Sequence, residues 1–160
     1  MLFLAELIVL CGLFFFICYS HTGTDEKNMK SYSVYPDEVK EMIQKDPTLS
    51  KQIKVTSTTV TFISNLLVFG VILFVFGLPL KTENFQVNFL TLLFLGQLVN
   101  AFDFFVVDCM WWRHSPRIRF SQLPNEASYQ DVRYHRGSFF RGILLFIAIA
   151  VIDGILITMM

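Results

Sequence analysis

Four long apolar runs dominate this chain, and no other feature restricts its folding as strongly. They are LFLAELIVLCGLFFFICYS (residues 2–20), STTVTFISNLLVFGVILFVFGL (about 57–78), QVNFLTLLFLGQLVNAFDFFVVDCMWW (about 86–112) and FFRGILLFIAIAVIDGILITMM (about 139–160). At about 1.5 Å per residue, each reaches across the roughly 30 Å hydrocarbon core of a bilayer. Lipid offers no water to the backbone, so a span must satisfy its own amides, as a helix does. The expected fold class is therefore all-α: a polytopic membrane protein, one membrane domain over residues 1–160, with four transmembrane helices in a bundle. Polar loops at 21–56 and 113–138 join the spans. A soluble chain of this length would carry more than 16% charged residues against 54% hydrophobic ones. The first run lacks the basic start and small-residue cleavage site of a signal peptide, which makes it a retained span.

Basic residues set the expected orientation. Lys27, Lys30, Lys40, Lys45, Lys51 and Lys54 lie in the first loop. Arg113, Arg117, Arg119, Arg133, Arg136 and Arg141 lie in or beside the last. The turn at 79–85 holds only Lys81. The positive-inside rule places both long loops in the cytoplasm and both termini outside the cell membrane, with Trp111 and Trp112 at the cytoplasmic interface.

The loops carry their own signals. Residues 21–33, HTGTDEKNMKSYS, read as a linker. Tyr35-Pro36-Asp37-Glu38 opens a helix, with Val39, Met42 and Ile43 on one apolar stripe. Asp46-Pro47 repeats the start signal, and a helix from there is expected to run unbroken into the second span, carrying Leu49, Ile53 and Lys54. RHSPRIRF (113–120) alternates arginine with apolar residues and suits an extended stretch on the membrane surface. A short helix through YQDVRYHRG, capped by Asn125 or Ser128 and ended by Gly137, should follow.

Several functions lack their motifs. Zero net charge predicts no nucleic-acid partner. Cys11, Cys18 and Cys109 form neither a disulfide framework nor a CxxC pair. Nucleotide loops, GxSxG elbows and internal repeats are missing. His21, His114 and His135 fall at one expected depth, the weak candidates for a metal or haem site, but no ligand spacing supports them. No cofactor is expected.

Polar residues inside spans cost free energy and face protein. Gly96, Gln97, Asn100, Asp103 and Asp108 fall within an arc of about 140° on an α-helix. Thr58, Thr61 and Asn65 lie at similar depth on the second span, and Asn65 is expected to bond Asn100 or Gln97. Arg141 is the expected partner of Asp103 or Asp108. Glu6 and Asp153, each about 8–10 Å from a terminus, form a candidate carboxylate pair in which one group stays protonated or binds a cation.

The stretch FDFFVVDCMWWRHSPRIRF, followed by a polar segment and YHRGSFFRGILL, resembles a family of small four-span membrane proteins of Gram-positive bacteria. Their third span ends in an Asp-x4-Asp-x2-Trp-like stretch, followed by a basic, proline-containing loop and a His-x-Gly entry to the last span. The likeness covers roughly residues 96–145. It implies location and topology but no activity, and it directs attention to Asp103, Asp108, Trp112, His135 and Gly137.

The functional expectation is a binding or accessory subunit with an anionic-ligand site at the cytoplasmic interface, taking a lipid headgroup or phosphate. Asp103 and Asp108 would orient Arg113, Arg117, Arg119, Arg136 and Arg141, and His114 or His135 would add a titratable donor. The alternatives are an interfacial enzyme acting on a lipid or isoprenoid headgroup and a small proton-coupled transporter. Membrane lipid is the expected partner, with an integral membrane protein or a second copy also weighed.

Overall fold

The computed structural model describes residues 1–54 and 57–160. The fold is all-α, with four helices long and apolar enough to cross a membrane. In order these are α1 (Leu2–Ser20), two short loop helices α2 (Asp25–Lys30) and α3 (Asp37–Lys45), then α4 (Thr58–Gly77), α5 (Phe85–Phe102) and α6 (Arg133–Met159). A ten-residue π-helix, Asp103–Trp112, follows α5 directly. Where one domain was expected over residues 1–160, the chain divides into two compact units.

The first unit comprises Met1–Leu13, Thr56–Phe102 and Phe139–Met160. Close approaches hold it together. A Cβ on Gly96 would lie 2.6 Å from Phe146, and one on Gly77 would lie 2.6 Å from Leu92. Gly142 leaves room for the Asn100 carboxamide. Leu73, Leu92, Leu95 and Ile149 are fully buried where α4, α5 and α6 meet. Lipid is as apolar as leucine, so tight contact and hydrogen bonding, rather than burial alone, keep such helices together. Gln97 Nε2 donates to the Ile143 carbonyl at 3.1 Å, and Asn100 Nδ2 donates to the Phe139 carbonyl at 3.1 Å. These polar residues of α5 therefore grip α6, not the second span. Asn65, their expected partner, is exposed.

The second unit comprises Phe14–Val55 and Asp103–Ser138, and most of it is loop sequence. Its core is aromatic. Tyr35 lies 5.1 Å from Trp112, 5.2 Å from Phe120 and 5.9 Å from Tyr129 between ring centroids. Tyr32, Val39, Ile43, Leu49 and Ile118 complete the cluster. The Tyr35 hydroxyl donates to the Ile118 carbonyl at 2.7 Å, and burial pushes its pKa far above the usual phenol range. Tyr129 donates to the Leu123 carbonyl at 2.9 Å and accepts from the Phe120 amide at 3.2 Å.

Several loop expectations change here. The expected linker contains α2, whose N-cap Thr24 accepts from the Lys27 amide, and Asn28 and Met29 are buried. Apolar Met29 and Tyr32 had a core to join, which the neighbouring charges obscured. Pro36 is the N-cap of α3 rather than its first residue, and Val39 and Ile43 form its buried stripe as expected. No unbroken helix starts at Asp46. Its carboxylate caps the turn at Thr48 and Leu49, a 3-10 turn covers Ser50–Gln52, and the chain is extended at Ile53. These hydrogen bonds hold the Asp46 carboxyl below its usual range, the Thr48 hydroxyl first among them. The end of the expected loop, at residues 55–56, lies outside the described residues.

The segment RHSPRIRF is not one extended stretch. Ser115 caps a 3-10 turn at Pro116–Ile118, and Ile118 and Phe120 are buried in the aromatic core. Asn125 caps another 3-10 turn, Glu126–Tyr129. The last helix then starts at Arg133, where Asp131 Oδ1 accepts from the Arg133 amide at 2.9 Å, and it runs through Gly137 without a break. A lone glycine weakens a helix by only about 1 kcal/mol, which the packing of so long a helix overrides.

Candidate functional site

The second unit contains every residue of the expected anionic site except Arg141, which belongs to the first. Its centre is a carboxylate–imidazole contact. His135 Nδ1 lies 3.0 Å from Asp108 Oδ1, with the side chains only 5% and 14% exposed. The imidazole also packs edge-to-face on Trp112, with centroids 4.8 Å apart. A carboxylate at Nδ1 favours the tautomer with its proton on that nitrogen, which leaves Nε2 as the outward-acting atom. Nε2 is buried and has no hydrogen-bond partner among the described residues. Such an orphan is expensive unless something else supplies the partner.

The π-helix shapes this centre. On an α-helix, residues five apart stand about 140° around the axis from one another. A helix closed by i→i+5 bonds packs more residues into each turn, which draws Asp103 and Asp108 toward one line. Asp108 thus has the His135 imidazole as a partner, a residue that the sequence spacing does not pair with it.

The arginines separate into two groups. Arg117 and Arg119 are engaged by the protein itself. The Arg117 guanidinium stacks over the Tyr19 ring at 3.9 Å and donates to the carbonyls of Thr22 at 3.0 Å and Tyr19 at 3.3 Å. It thereby answers carbonyls at the C-terminal end of α1, where a cation suits the helix dipole. Gly23 makes this possible: its φ of +106° suits glycine, and a Cβ there would meet the guanidinium at 2.7 Å. Arg119 donates to Glu126 at 2.7 Å and to the His114 carbonyl at 3.3 Å. His114 in turn faces Glu126 at 3.4 Å, and this histidine with Arg119 holds the Glu126 carboxyl below its usual range. Asn28 fastens the same segment by donating to the carbonyls of Arg117 and Arg119.

Arg113 and Arg136 make no ion pair among the described residues. Arg136 is exposed, and Arg113 has its Nε buried without a partner. The three histidines do not converge. His21 bonds the Ile17 carbonyl at 2.8 Å, while His114 and His135 face different carboxylates. Among the described residues no group of three or more His, Cys, Asp or Glu side chains is placed to hold a metal.

Polar residues of the first unit follow a different plan. Asp153 is buried, its Oδ2 has no partner, and no hydrogen bond joins it to Glu6 among the described residues. Asn88, which its neighbours in sequence do not single out, is the best-satisfied polar side chain there. Its Nδ2 donates to the Thr82 carbonyl and to Thr158 Oγ1, both at 2.8 Å, and its Oδ1 accepts from the Thr82 amide at 2.8 Å. An Asn three residues before a mid-span Thr carries no motif, so only folding reveals the role. No family model, curated protein or solved structure matches this chain, and the geometry of the site alone carries the functional argument.

Proposed function

We propose that this protein is a binding or accessory subunit of the cell membrane that receives the anionic head of an amphiphilic ligand at the cytoplasmic interface. The observation that carries the reading is the buried Asp108–His135 pair with its unpartnered Nε2. Protonated, His135 donates from Nε2 to a phosphate or carboxylate oxygen, while Asp108 stabilises the imidazolium and fixes its plane. Arg113 and Arg136 supply the long-range positive field. Arg117 and Arg119 leave the ligand set, because each grips its own chain. The resemblance to four-span proteins of Gram-positive bacteria stays within this reading and adds no activity to it.

The same pair supports a second reading, an interfacial enzyme in which His135, oriented by Asp108, removes a proton from water or a hydroxyl at a lipid headgroup. Substrate turnover separates the two.

The experiment is native mass spectrometry of protein reconstituted with phosphatidylglycerol and phosphatidylcholine. Wild-type protein is expected to retain phosphatidylglycerol preferentially, and His135→Gln to lose that preference several-fold. Arg117→Lys with Arg119→Lys should leave retention intact and lower thermal stability. Retention that ignores His135 and follows the two arginines overturns this assignment. The topology is read separately, by labelling Asp37→Cys and Glu126→Cys in cells after Cys11, Cys18 and Cys109 are replaced by alanine; labelling from outside overturns the cytoplasmic placement.

A further inference from the structure

The first two turns of α4 are exposed on every side: each residue from Thr58 to Asn65 lies open. Apolar exposure is ordinary for a lipid-facing helix, but this half of α4 carries Thr58, Thr59, Thr61, Ser64 and Asn65. Hydroxyls manage alone in lipid, as Thr61 does by donating to the Ser57 carbonyl of its own helix at 3.2 Å. A carboxamide does not, since it brings two donors and an acceptor that no local carbonyl satisfies. Asn65 has no hydrogen bond among the described residues, and it stands about 10 Å along the helix from Thr58, too deep for its short side chain to reach the headgroups.

A second observation is independent of the first. Thr58, Thr61, Asn65, Val68, Ile72 and Val75 repeat at alternating steps of three and four residues. That is the 3.5-residue period of a two-helix seam. Every member except Asn65 is β-branched, and β-branched side chains enter a helix interface with little rotamer freedom to lose. Val68 and Val75 are 56% and 55% exposed, so the seam is uncovered over most of its length. A seam with one asparagine at an a-type position sets register and number of strands in water-soluble coiled coils.

We infer that this face of α4 is a homodimer interface, in which α4 packs in parallel against α4 of a second copy and Asn65 pairs with Asn65 across the two-fold axis. A carboxamide is its own complement, donor to acceptor in both directions, so the seam needs no component beyond another copy inserted the same way. Left-handed packing at about 20° keeps a 3.5-residue stripe in register along both helices.

The test uses full-length protein in phosphatidylcholine vesicles, labelled separately with donor and acceptor dyes, with energy transfer read against the protein-to-lipid ratio. Wild-type protein is expected to dimerise. Asn65→Leu should raise the ratio at half-dimerisation at least about threefold, the usual worth of an interhelical hydrogen bond in a membrane. Asn65→Gln should stay close to wild type, and Leu67→Ala, exposed but off the seam, should change nothing. With the native cysteines replaced by alanine, Val68→Cys should cross-link between copies and Leu67→Cys should not. Monomeric wild-type protein at every ratio overturns the inference, as do dimers that tolerate Asn65→Leu or that weaken equally with Leu67→Ala. Because Asn65 and Val68 are exposed, neither change disturbs the fold that it probes.

Discussion

The loop unit and the span unit of this chain solve opposite problems with opposite chemistry. The loop unit has water to escape, so it gathers Tyr32, Tyr35, Trp112, Phe120 and Tyr129 into a core and hides the Tyr35 and Tyr129 hydroxyls on backbone carbonyls. Apolar burial is its driving force. The span unit gains nothing comparable from burying leucine, because its exposed leucines already sit in an apolar solvent. It relies on glycines that let helices touch and on Asn88, Gln97 and Asn100, which bond across helices. Aromatics form the core of the loop unit, whereas several in the span unit, such as exposed Phe62 and Phe94, face outward.

The largest effect expected from this contrast is in the loop unit. Phe120→Ala should destabilise it by about 3–5 kcal/mol, the usual cost of emptying a buried aromatic site. The chain has two tryptophans, Trp111 and Trp112, and both belong to this unit, so their fluorescence during urea unfolding reports it alone. An equal change at exposed Phe94 should leave that transition where it was. If Phe94→Ala matches Phe120→Ala, the contrast between the units fails.

Next in size is Gly142→Ala, which places a methyl group where the Asn100 carboxamide lies. Overpacking of this kind costs about 1–3 kcal/mol. Helix loss on heating in lipid nanodiscs, followed by circular dichroism, should begin at lower temperature, and adding Asn100→Ala should recover part of the loss. The tryptophan transition should stay unchanged. A Gly142→Ala protein as stable as wild type would show that close approach is not what holds α5 to α6.

The smallest effect tests the surface of the loop unit. Partners His114 and Arg119 depress the Glu126 carboxyl below its ordinary value of 4.5. A depressed carboxyl contributes stability that is present above its unfolded value and lost as pH falls through the folded one. Wild-type protein should therefore lose a small increment of tryptophan-detected stability as pH drops below about 4.5, and Glu126→Gln should lack that increment. Identical pH profiles for the two proteins would remove Glu126 from the account.

The amino-acid sequence by itself determined the four spans, because a hydrocarbon solvent admits only long apolar runs that satisfy their own backbone. Helix α1 begins and ends where the hydropathy does, α4 departs by a residue at each end, and α5 with the π-helix after it departs by a residue at its start. Helix α3 was equally legible, since its stripe and start signal are local. What lies beyond one helical turn was not. His135 meets Asp108 only after the chain folds back on itself, and spacing in sequence carries no record of that encounter. The α-helical period spreads the aspartates over an arc, and the π winding replaces that period. Arg117 and Arg119 looked like open phosphate clamps because a guanidinium's choice between an anionic ligand, a ring face and a helix carbonyl depends on which lies nearest. Tertiary structure set that choice, putting Tyr19 and Thr22 under one arginine and Glu126 against the other.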